Sequence, residues 1–409
     1  MTTPQRTVLI SGAGIAGPAL AYWLAEYGFS TTVVETAPAP RPGGYKVDIR
    51  GKAMEVVARM GLESAVRALS TDMRGGSVVD AAGRPVATMD GATIGFRAEG
   101  DDEVLRGDLA RLLHDTTKDR VEYLFGDTIT ALEDRDDGVR VTFDHAADRR
   151  FDLVIGADGQ HSRVRALRFG DERQFTRDLG HCVSVFGVPN HLGLDRWELV
   201  HHAPGRMVNV YSTAADDEAK AAFYFASPPR FDHGDTAAQR RIVAEVFDGM
   251  GWEVPRLLAS LPDTADFYFD ALAVIEMPSW SRGRVALVGD AAYGASPAAG
   301  QGTSLALVGA YVLAGELATA GHATAFGAYA ARMRDFVVRN QKLAANVKRM
   351  VPRSRTQIRV QTAMMRIGPR LPGTSFVMRK VVEQISSTAN AIELPDYRAA
   401  TRTASARRK

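Results

Sequence analysis

The stretch that decides the fold is TVLISGAGIAGPALAYWLAEYGFSTTVVE, residues 7–35. A short apolar run leads into a glycine turn, in which Gly12, Gly14 and Gly17 have the spacing G-x-G-x-x-G. An alanine-rich segment follows the turn, and a second β-branched run ends on Glu35. This pattern is typical of a dinucleotide-binding βαβ unit. Such a unit has a strand, a tight turn, a helix and a second strand, and an acid follows the glycines by about twenty residues.

Each position of this turn has a physical role in holding a dinucleotide. Gly12 permits a turn that a Cβ would block, Gly14 lets a pyrophosphate approach the backbone, and Gly17 lets the helix pack closely on the strand. The first turn of the helix, with Ala16, offers free N–H groups and a partial positive charge to the phosphates. Glu35 can accept hydrogen bonds from ribose hydroxyls and would repel a 2′-phosphate, so we expect FAD or NAD here rather than NADP.

The composition is that of a globular protein with no strong charge bias. The chain has 409 residues, enough for two or three domains, and is 45% hydrophobic and 24% charged. Its formal net charge of +2 gives no reason to expect a nucleic-acid or membrane partner, and no apolar stretch of membrane-spanning length is evident. Cys182 is the only cysteine, which excludes an internal disulfide and fits a reducing, cytoplasmic location. We expect no metal site.

The middle of the chain predicts a sheet inserted into the nucleotide-binding unit. Several short segments between residues 182 and 226 alternate polar and apolar residues or are rich in aromatics, and polar turns separate them. This pattern predicts antiparallel strands. The predicted domains are a discontinuous nucleotide-binding domain (1–72, 100–175 and 270–322), a sheet domain (73–99 and 176–269), a helical region (323–398) and a basic tail (399–409).

A second candidate motif is GADGQHSRVR, residues 156–165. An apolar strand precedes it and delivers Asp158 and Gly159 into a turn. Ser162 can cap the helix that follows. Like the first motif, this one combines an apolar strand with a glycine and an acid.

The third motif is GDAAYGASPAAGQG, residues 289–302, which again follows a buried strand. An acid at the strand end can hold ribityl or ribose hydroxyls. The later loop and the start of the next helix can turn N–H groups toward an electron-rich ring edge. The candidate cofactor-binding residues of this motif are Gly289, Asp290, Pro297, Gly300, Gln301 and Gly302.

With these three motifs in this order, the chain resembles the class A flavoprotein monooxygenases, the p-hydroxybenzoate hydroxylase-like aromatic hydroxylases. It is most similar to the tetracycline-modifying and polyketide-tailoring branch, over roughly residues 5 to 340. The resemblance implies an α/β fold, with a Rossmann-like FAD-binding domain of the GR2 type. It also implies an inserted, mostly antiparallel substrate sheet and C-terminal helices.

The resemblance also implies roles for the motifs. The first motif would hold the ADP part of FAD, and Asp158 and Gly159 match a D-G motif linked to FAD and NAD(P)H. Residues 289–290 match a G-D motif at the ribose and ribityl region, and residues 297–302 would approach the isoalloxazine. Arg106, in LRGDL, matches an arginine near the flavin, although it could also be a surface arginine paired with an acid of its own helix or Asp102. Members often have His after G-D-A-A, where this chain has Tyr293; we interpret the change as tuning the pocket or flavin mobility.

The activity implied is that of an FAD-dependent monooxygenase, with NAD(P)H as transient co-substrate. Reduced flavin and O2 would form a C4a-hydroperoxide that hydroxylates an aromatic or polycyclic, polyketide- or tetracycline-like molecule in antibiotic biosynthesis or resistance. We expect a monomer or a homodimer and name no catalytic acid or base. The substrate should lie under the inserted sheet, whose aromatic and apolar residues could equally be ordinary sheet core. The candidate wall residues are Phe186, Met207, Tyr211, Phe223 and Phe225.

Other activities share some of these features. Baeyer–Villiger insertion and epoxidation stay open. A flavin-dependent halogenase would need a W-x-W-x-I-P motif, which Trp252 and its neighbours do not supply. An NAD-dependent dehydrogenase would explain the first motif and leave the other two without a role. A non-catalytic FAD- or ligand-binding protein is the remaining alternative.

Overall fold

The computed structural model describes residues 5–41, 43–91, 95–214, 218–226, 231–367 and 374–399. The strands are β1 Thr7–Ser11, β2 Ser30–Glu35, β3 Lys46–Ile49, β4 Gly75–Val79, β5 Pro85–Asp90, β6 Asp102–Leu105, β7 Glu122–Phe125, β8 Ile129–Arg135, β9 Gly138–Phe143, β10 Arg149–Phe151, β11 Leu153–Gly156, β12 Thr176–Val188, β13 Trp197–Ala203, β14 Arg206–Tyr211, β15 Ala219–Ala226, β16 Tyr268–Ile275, β17 Ser281–Arg282 and β18 Val285–Leu287. The helices are α1 Ala16–Glu26, α2 Lys52–Arg59, α3 Glu63–Ala68, α4 Arg106–Thr117, α5 Arg163–Arg168, α6 Thr236–Phe247, α7 Val254–Ser260, α8 Asp290–Tyr293, α9 Gly302–Thr319, α10 His322–Gln341, α11 Val347–Met350, α12 Arg355–Ile367 and α13 Thr374–Ala389.

A six-stranded sheet contains the predicted βαβ unit. Its strand order is β17-β18-β11-β1-β2-β7, and every neighbouring pair is parallel except β17 with β18. The central strand β1 is a continuous apolar run because helices cover both faces of such a sheet, and Val8, Leu9 and Ile10 are fully buried. All three motifs follow strands of this sheet, so their turns meet at one edge.

Helix α9 fills the centre of this half of the molecule and packs against α1, α2 and α10. It is apolar on all sides because neighbours surround it, as expected for a core helix. By length and composition alone it could cross a membrane, and 83% of it is buried within the protein. The prediction that the chain has no apolar stretch of membrane-spanning length is therefore wrong, and burial explains why a core helix has that composition.

A seven-stranded sheet, in the order β16-β12-β15-β14-β13-β4-β5, forms the second half. All its pairs are antiparallel except β13 with β4. Residues of α6 and α7 join one of its faces in a compact apolar cluster. Strand β16 straddles the predicted boundary at residue 270 and pairs with β12 in this sheet, so we propose to place that boundary after Ile275.

Two smaller sheets complete the strands of the described residues. One pairs β3 with β6, and the other has the order β10-β9-β8. The predicted fold class, a Rossmann-like α/β unit with a mostly antiparallel second sheet and C-terminal helices, is confirmed. The domain limits stay predictions, and residues 400–409 of the predicted basic tail lie outside the described residues.

Candidate active site

A cleft of about 490 Å³ opens where the strands of the six-stranded sheet end, and the seven-stranded sheet forms its opposite wall. Most of the predicted cofactor residues line it, and Gly17 and Gly289 are not among the lining residues. The predicted residues that line the cleft are Gly12, Gly14, Ala16, Glu35, Arg106, Asp158, Gly159, Asp290, Pro297, Gly300, Gln301 and Gly302.

The first glycine turn is packed too tightly for side chains at two of its positions. Gly12 has φ +106°, and a Cβ there would lie 2.6 Å from the carbonyl oxygen of Ala157. A Cβ on Gly17 would lie 1.9 Å from the carbonyl oxygen of Gly12. Gly17 therefore sets how closely α1 approaches the turn, and this is why it lies behind the cleft wall.

Arg106 faces the same turn from the start of α4. A Cβ on Gly14 would lie 3.3 Å from its Nη2, so the guanidinium stands over the glycine turn. Asp108, one of the acids that could have held Arg106 at the surface, pairs with Arg111 instead. No ion pair joins Arg106 to Asp102 or Asp108 in the part of the chain that the structure describes. The geometry therefore favours the cofactor role of Arg106 over a surface salt bridge.

Glu35 is held in place by backbone donors at the end of β2. Its carboxylate accepts hydrogen bonds from the N–H groups of Ala13 (2.8 Å) and Ala37 (2.9 Å). Burial alone would raise the pKa of this carboxyl, but these two N–H groups lower it below its ordinary value. The side chain is therefore an anion that accepts hydrogen bonds, as a contact to ribose hydroxyls requires.

Asp158 connects the second motif to the first. It accepts hydrogen bonds from the hydroxyl of Ser11 (3.3 Å), the hydroxyl of Ser162 and the N–H of Val164 (3.0 Å). Ser162 also caps α5 by accepting from the N–H of Arg165, as predicted. Burial raises the pKa of Asp158, and these donors oppose the rise. The carboxyl thus ties the D-G turn to the end of β1.

Asp290 begins α8 and points into the cleft. Burial raises the pKa of its carboxyl, and the charge of Arg106 opposes this rise. Gly289, just before it, has φ +66°, and a Cβ there would lie 2.9 Å from the Cβ of Ala16. Like Gly17, Gly289 permits a close approach of two chain segments rather than forming the cleft surface.

The loop before α9 contains a tight bend and a buried polar side chain. Ser296 and Gly300 both have positive φ, so the loop is bent back tightly before α9 begins at Gly302. The side chain of Gln301 is fully buried at the cleft, yet neither its Nε2 nor its Oε1 has a hydrogen-bond partner among the described residues. Buried amides are nearly always paired, so this side chain is shaped for a ligand with a donor and an acceptor. The pyrimidine edge of a flavin offers both, and the residues present therefore fit FAD.

Three of the five predicted substrate-wall residues face away from the cleft. Phe186, Phe223 and Phe225 are fully buried in the apolar cluster with α6 and α7. The ring of Phe223 lies 5.3 Å from that of Phe186 and 4.8 Å from that of Phe247 on α6. The prediction that these three phenylalanines line the cleft is wrong, because strand residues alternate between faces and α6 and α7 cover theirs.

The opposite sheet face forms the cleft wall. Tyr211 lies there as predicted, together with Val185, Asn209, Ala222 and Tyr224. Met207 is buried two residues before Asn209 on the same strand and is not among the residues that line the cleft. The missed residues neighbour the predicted ones in sequence, and the signal that could have found them is the mixture of polar and aromatic side chains on a buried strand.

A buried charge network below Tyr211 was also not predicted. Lys46, on β3, places its Nζ 2.6 Å from Glu198 Oε2, 3.7 Å from Glu103 Oε2 and 4.9 Å from the ring centre of Tyr211. Burial alone would lower the pKa of Lys46, but the two carboxylates raise it. Asp48, two residues further on, also lines the cleft and pairs with Arg50 at 2.8 Å. This end of the cleft is therefore polar.

Tyr293 does not reach the cleft. Its ring is buried 4.7 Å from that of Trp280, and its hydroxyl lies 2.9 Å from the hydroxyl of Tyr329 on α10. Burial raises its pKa to about 12, so the phenol stays neutral. The short helix α8 turns the side chain toward the core, and the interpretation that this residue tunes the pocket or flavin mobility stays a prediction.

Comparison with known proteins gives one consistent result. A family described as an FAD binding domain matches residues 5–328. An uncharacterized protein of Mycobacterium tuberculosis is 48% identical over 347 residues, which cover 84% of this chain and 93% of that protein. A flavin-dependent monooxygenase of Legionella longbeachae is 37% identical over 393 residues, 95% of this chain and 98% of that protein. The crystal structure of tetracycline destructase Tet(51), 35% identical, has a TM-score of 0.84 and covers 96% of this chain and 100% of its own.

Proposed function

Because this chain belongs to the FAD-binding-domain family of flavin-dependent monooxygenases, we propose that it hydroxylates an oxygen-rich polycyclic molecule of the tetracycline or polyketide type. NADH or NADPH supplies the electrons, and O2 supplies the oxygen atom. We further propose a role in antibiotic biosynthesis or resistance, in the cytoplasm, as a monomer or a homodimer.

Bound FAD supplies electron transfer and the activation of O2 in this reaction. The protein positions the cofactor and balances its charge. Glu35 would hold the ribose of the adenosine half, Arg106 would balance the pyrophosphate charge, and Asp290 would hold the ribityl hydroxyls. Gln301 would pair with the pyrimidine edge of the flavin, and the N-terminus of α9 would stabilise negative charge there. The seven-stranded sheet excludes water from the reacting face.

The chemistry of the sheet face over the cleft supports this substrate class. Tyr211 and Tyr224 offer aromatic surfaces on which fused rings can lie. Asn209 donates from its Nδ2 to Glu198 Oε2 (3.4 Å), and its buried Oδ1 has no hydrogen-bond partner among the described residues. That oxygen is an acceptor for a phenol, an enol or an amide of the substrate. A hydrocarbon substrate would leave it unpaired at a cost of about 1–3 kcal/mol.

The similarity to tetracycline destructases supports testing a tetracycline first. Two of them, Tet(51) and Tet(55), are 35% and 37% identical to this chain over nearly its whole length. We prefer hydroxylation to Baeyer–Villiger insertion or epoxidation because the tyrosines and Asn209 of the cleft wall suit phenolic and enolic rings. All three reactions add one oxygen atom, so the site of insertion must be determined on the product.

The test measures flavin reduction and oxygen incorporation separately. The purified yellow protein is mixed anaerobically with NADH or NADPH, alone and with a tetracycline or a one-ring phenol, and flavin bleaching is timed. Turnover under 18O2 is then followed by mass spectrometry and by NMR of the product. We expect the polycycle to accelerate bleaching and to gain one labelled oxygen. Labelling of the one-ring phenol alone would overturn the substrate class, and a flavin that neither nicotinamide reduces would overturn the electron donor.

A further inference from the structure

A second cluster of ligating side chains lies at the edge of the cleft. His161 comes from the turn after β11, His233 precedes α6, and Asp270 lies on β16. One ligand atom of each lies within 4.8 Å of the other two. His161 also lines the cleft, whereas the proposed function gives no role to any of the three.

The three side chains converge closely enough for a coordination site, and His161 and Asp270 also form a hydrogen bond. His161 Nε2 lies 3.1 Å from Asp270 Oδ1, and His233 Nδ1 lies 3.7 Å from the same oxygen. The second distance is too long for a hydrogen bond. Ligands bonded to a tetrahedral zinc ion at about 2.0–2.1 Å stand roughly 3.4 Å apart, between the two observed values. The centres of the two imidazole rings lie 3.8 Å apart, and one nitrogen of each ring faces the carboxylate of Asp270.

Outer hydrogen bonds fix the orientation of two of the ligands. His161 Nδ1 lies 2.9 Å from Glu172 Oε1, and Arg165 holds the other oxygen of Glu172 at 3.1 Å. Gln160 donates from its Nε2 to Asp270 Oδ1 at 3.2 Å. Histidines that bind metals usually have such a carboxylate on the second ring nitrogen, because it sets the tautomer and aims the first nitrogen at the ion.

We propose that His161, His233 and Asp270 bind a divalent transition-metal ion of the zinc class, with a fourth position open to water. Two imidazole nitrogens and one carboxylate oxygen suit zinc and its neighbours, whereas magnesium and calcium prefer oxygen ligands. The ion would link the segment before α6 to the turn after β11, beside the cleft that His161 lines. The sequence predicts no metal site, because the three ligands are far apart along the chain and none belongs to a short metal-binding motif.

The experiment uses tag-free holoprotein freed of metal by a chelator. Zinc is titrated in competition with a chromophoric chelator, and cobalt is titrated while the visible bands of a tetrahedral ion are followed. We expect one ion per chain and a thermal midpoint that rises with zinc. His233→Ala and Asp270→Asn should each weaken binding at least tenfold, and the same zinc should no longer raise their midpoints. None of these measurements requires turnover.

The matched control is His191→Ala, since His191 pairs with a single carboxylate, that of Glu253, at 2.9 Å. It should bind zinc as the parent does. The side chain of His233 is 45% exposed, so His233→Ala should fold even if Asp270→Asn does not. Equal zinc affinity in His233→Ala and the parent would show that zinc binds only adventitiously. A parent protein that binds no stoichiometric zinc would also overturn the proposal.

Discussion

A Cβ atom on Gly309 would lie 1.9 Å from the hydroxyl oxygen of Tyr293. The missing side chain in the middle of α9 is what allows this hydroxyl to reach Tyr329 on α10. Tyr329 in turn hydrogen-bonds to the carbonyl oxygen of Leu287, at the end of β18 (3.1 Å). The residue that departs from the family pattern is therefore accommodated by a glycine in the core.

We expect Gly309→Ala to destabilise the protein by about 1–3 kcal/mol, because the new methyl group overlaps the Tyr293 hydroxyl. Urea denaturation of the holoprotein measures this change. Gly327→Ala is the matched control, since a Cβ there meets nothing within 4 Å and alanine favours a helix. Tyr293→Phe should reduce the cost of Gly309→Ala only in part, because the ring carbon Cζ lies 3.1 Å from the new Cβ. A Gly309→Ala protein as stable as the parent would contradict the packing.

Removing the guanidinium of Arg106 should weaken FAD binding about 10- to 100-fold, because a charge-assisted contact contributes roughly 1.5–3 kcal/mol. Apoprotein of Arg106→Ala is titrated with FAD, and quenching of flavin fluorescence gives the Kd. Arg111→Ala removes an exposed arginine from the same helix, one that pairs with Asp108, and should leave the Kd unchanged. If both variants bind FAD equally well, Arg106 does not contact the cofactor.

The two faces of the seven-stranded sheet should respond differently to substitution. Asn209→Leu removes an acceptor from the cleft, so we expect KM for the polycyclic substrate to rise about tenfold with little loss of stability. Phe223→Leu should lower stability by roughly 1–3 kcal/mol and leave KM unchanged, because its ring packs on α6. Steady-state kinetics and thermal unfolding of both variants check this. A change in KM for Phe223→Leu alone would mean that the substrate meets the other face.

His202 should make the protein sensitive to acid. Burial, with the charge of His201 adding to it, lowers the pKa of His202 to about 4, and its Nδ1 has no hydrogen-bond partner among the described residues. The unfolded chain, with a histidine pKa near ~6.5, binds the proton more readily. The stability that neutral His202 contributes is therefore complete above about pH 6.5 and is lost as the pH falls toward 4. Near pH 5 the loss amounts to roughly 1–2 kcal/mol.

The measurement is the thermal midpoint of the holoprotein at about pH 7.5 and about pH 5. His202→Gln should lose less of its midpoint between these two conditions than the parent. His145→Gln, which changes an exposed histidine, should lose as much as the parent. An equal acid response in His202→Gln and the parent would show that other groups control it.

Sequence alone predicted the glycine turns that form one side of the cleft. The roles of Gly12 and Gly17 follow from backbone geometry, and glycine is the residue that such geometry requires. Of the five predicted wall residues only Tyr211 lines the cleft, because alternation fixes which residues share a face and not which face meets the cleft. Phe223 and Tyr224 both stand in an apolar stretch of sequence, and the packing of α6 against one face decides between them. Lys46 and Glu198 were missed because their contact joins distant parts of the chain.

The alternation on β15 has a consequence for how such a protein can change over time. Two neighbouring residues of this strand are under different constraints, since Tyr224 lines the cleft and Phe225 packs in the core. Exchanges at Ala222 and Tyr224 can therefore redirect specificity while the packing beneath them is kept. A directed-evolution library confined to this side of the strand should retain a high fraction of folded members, and it offers a short route from one substrate to another.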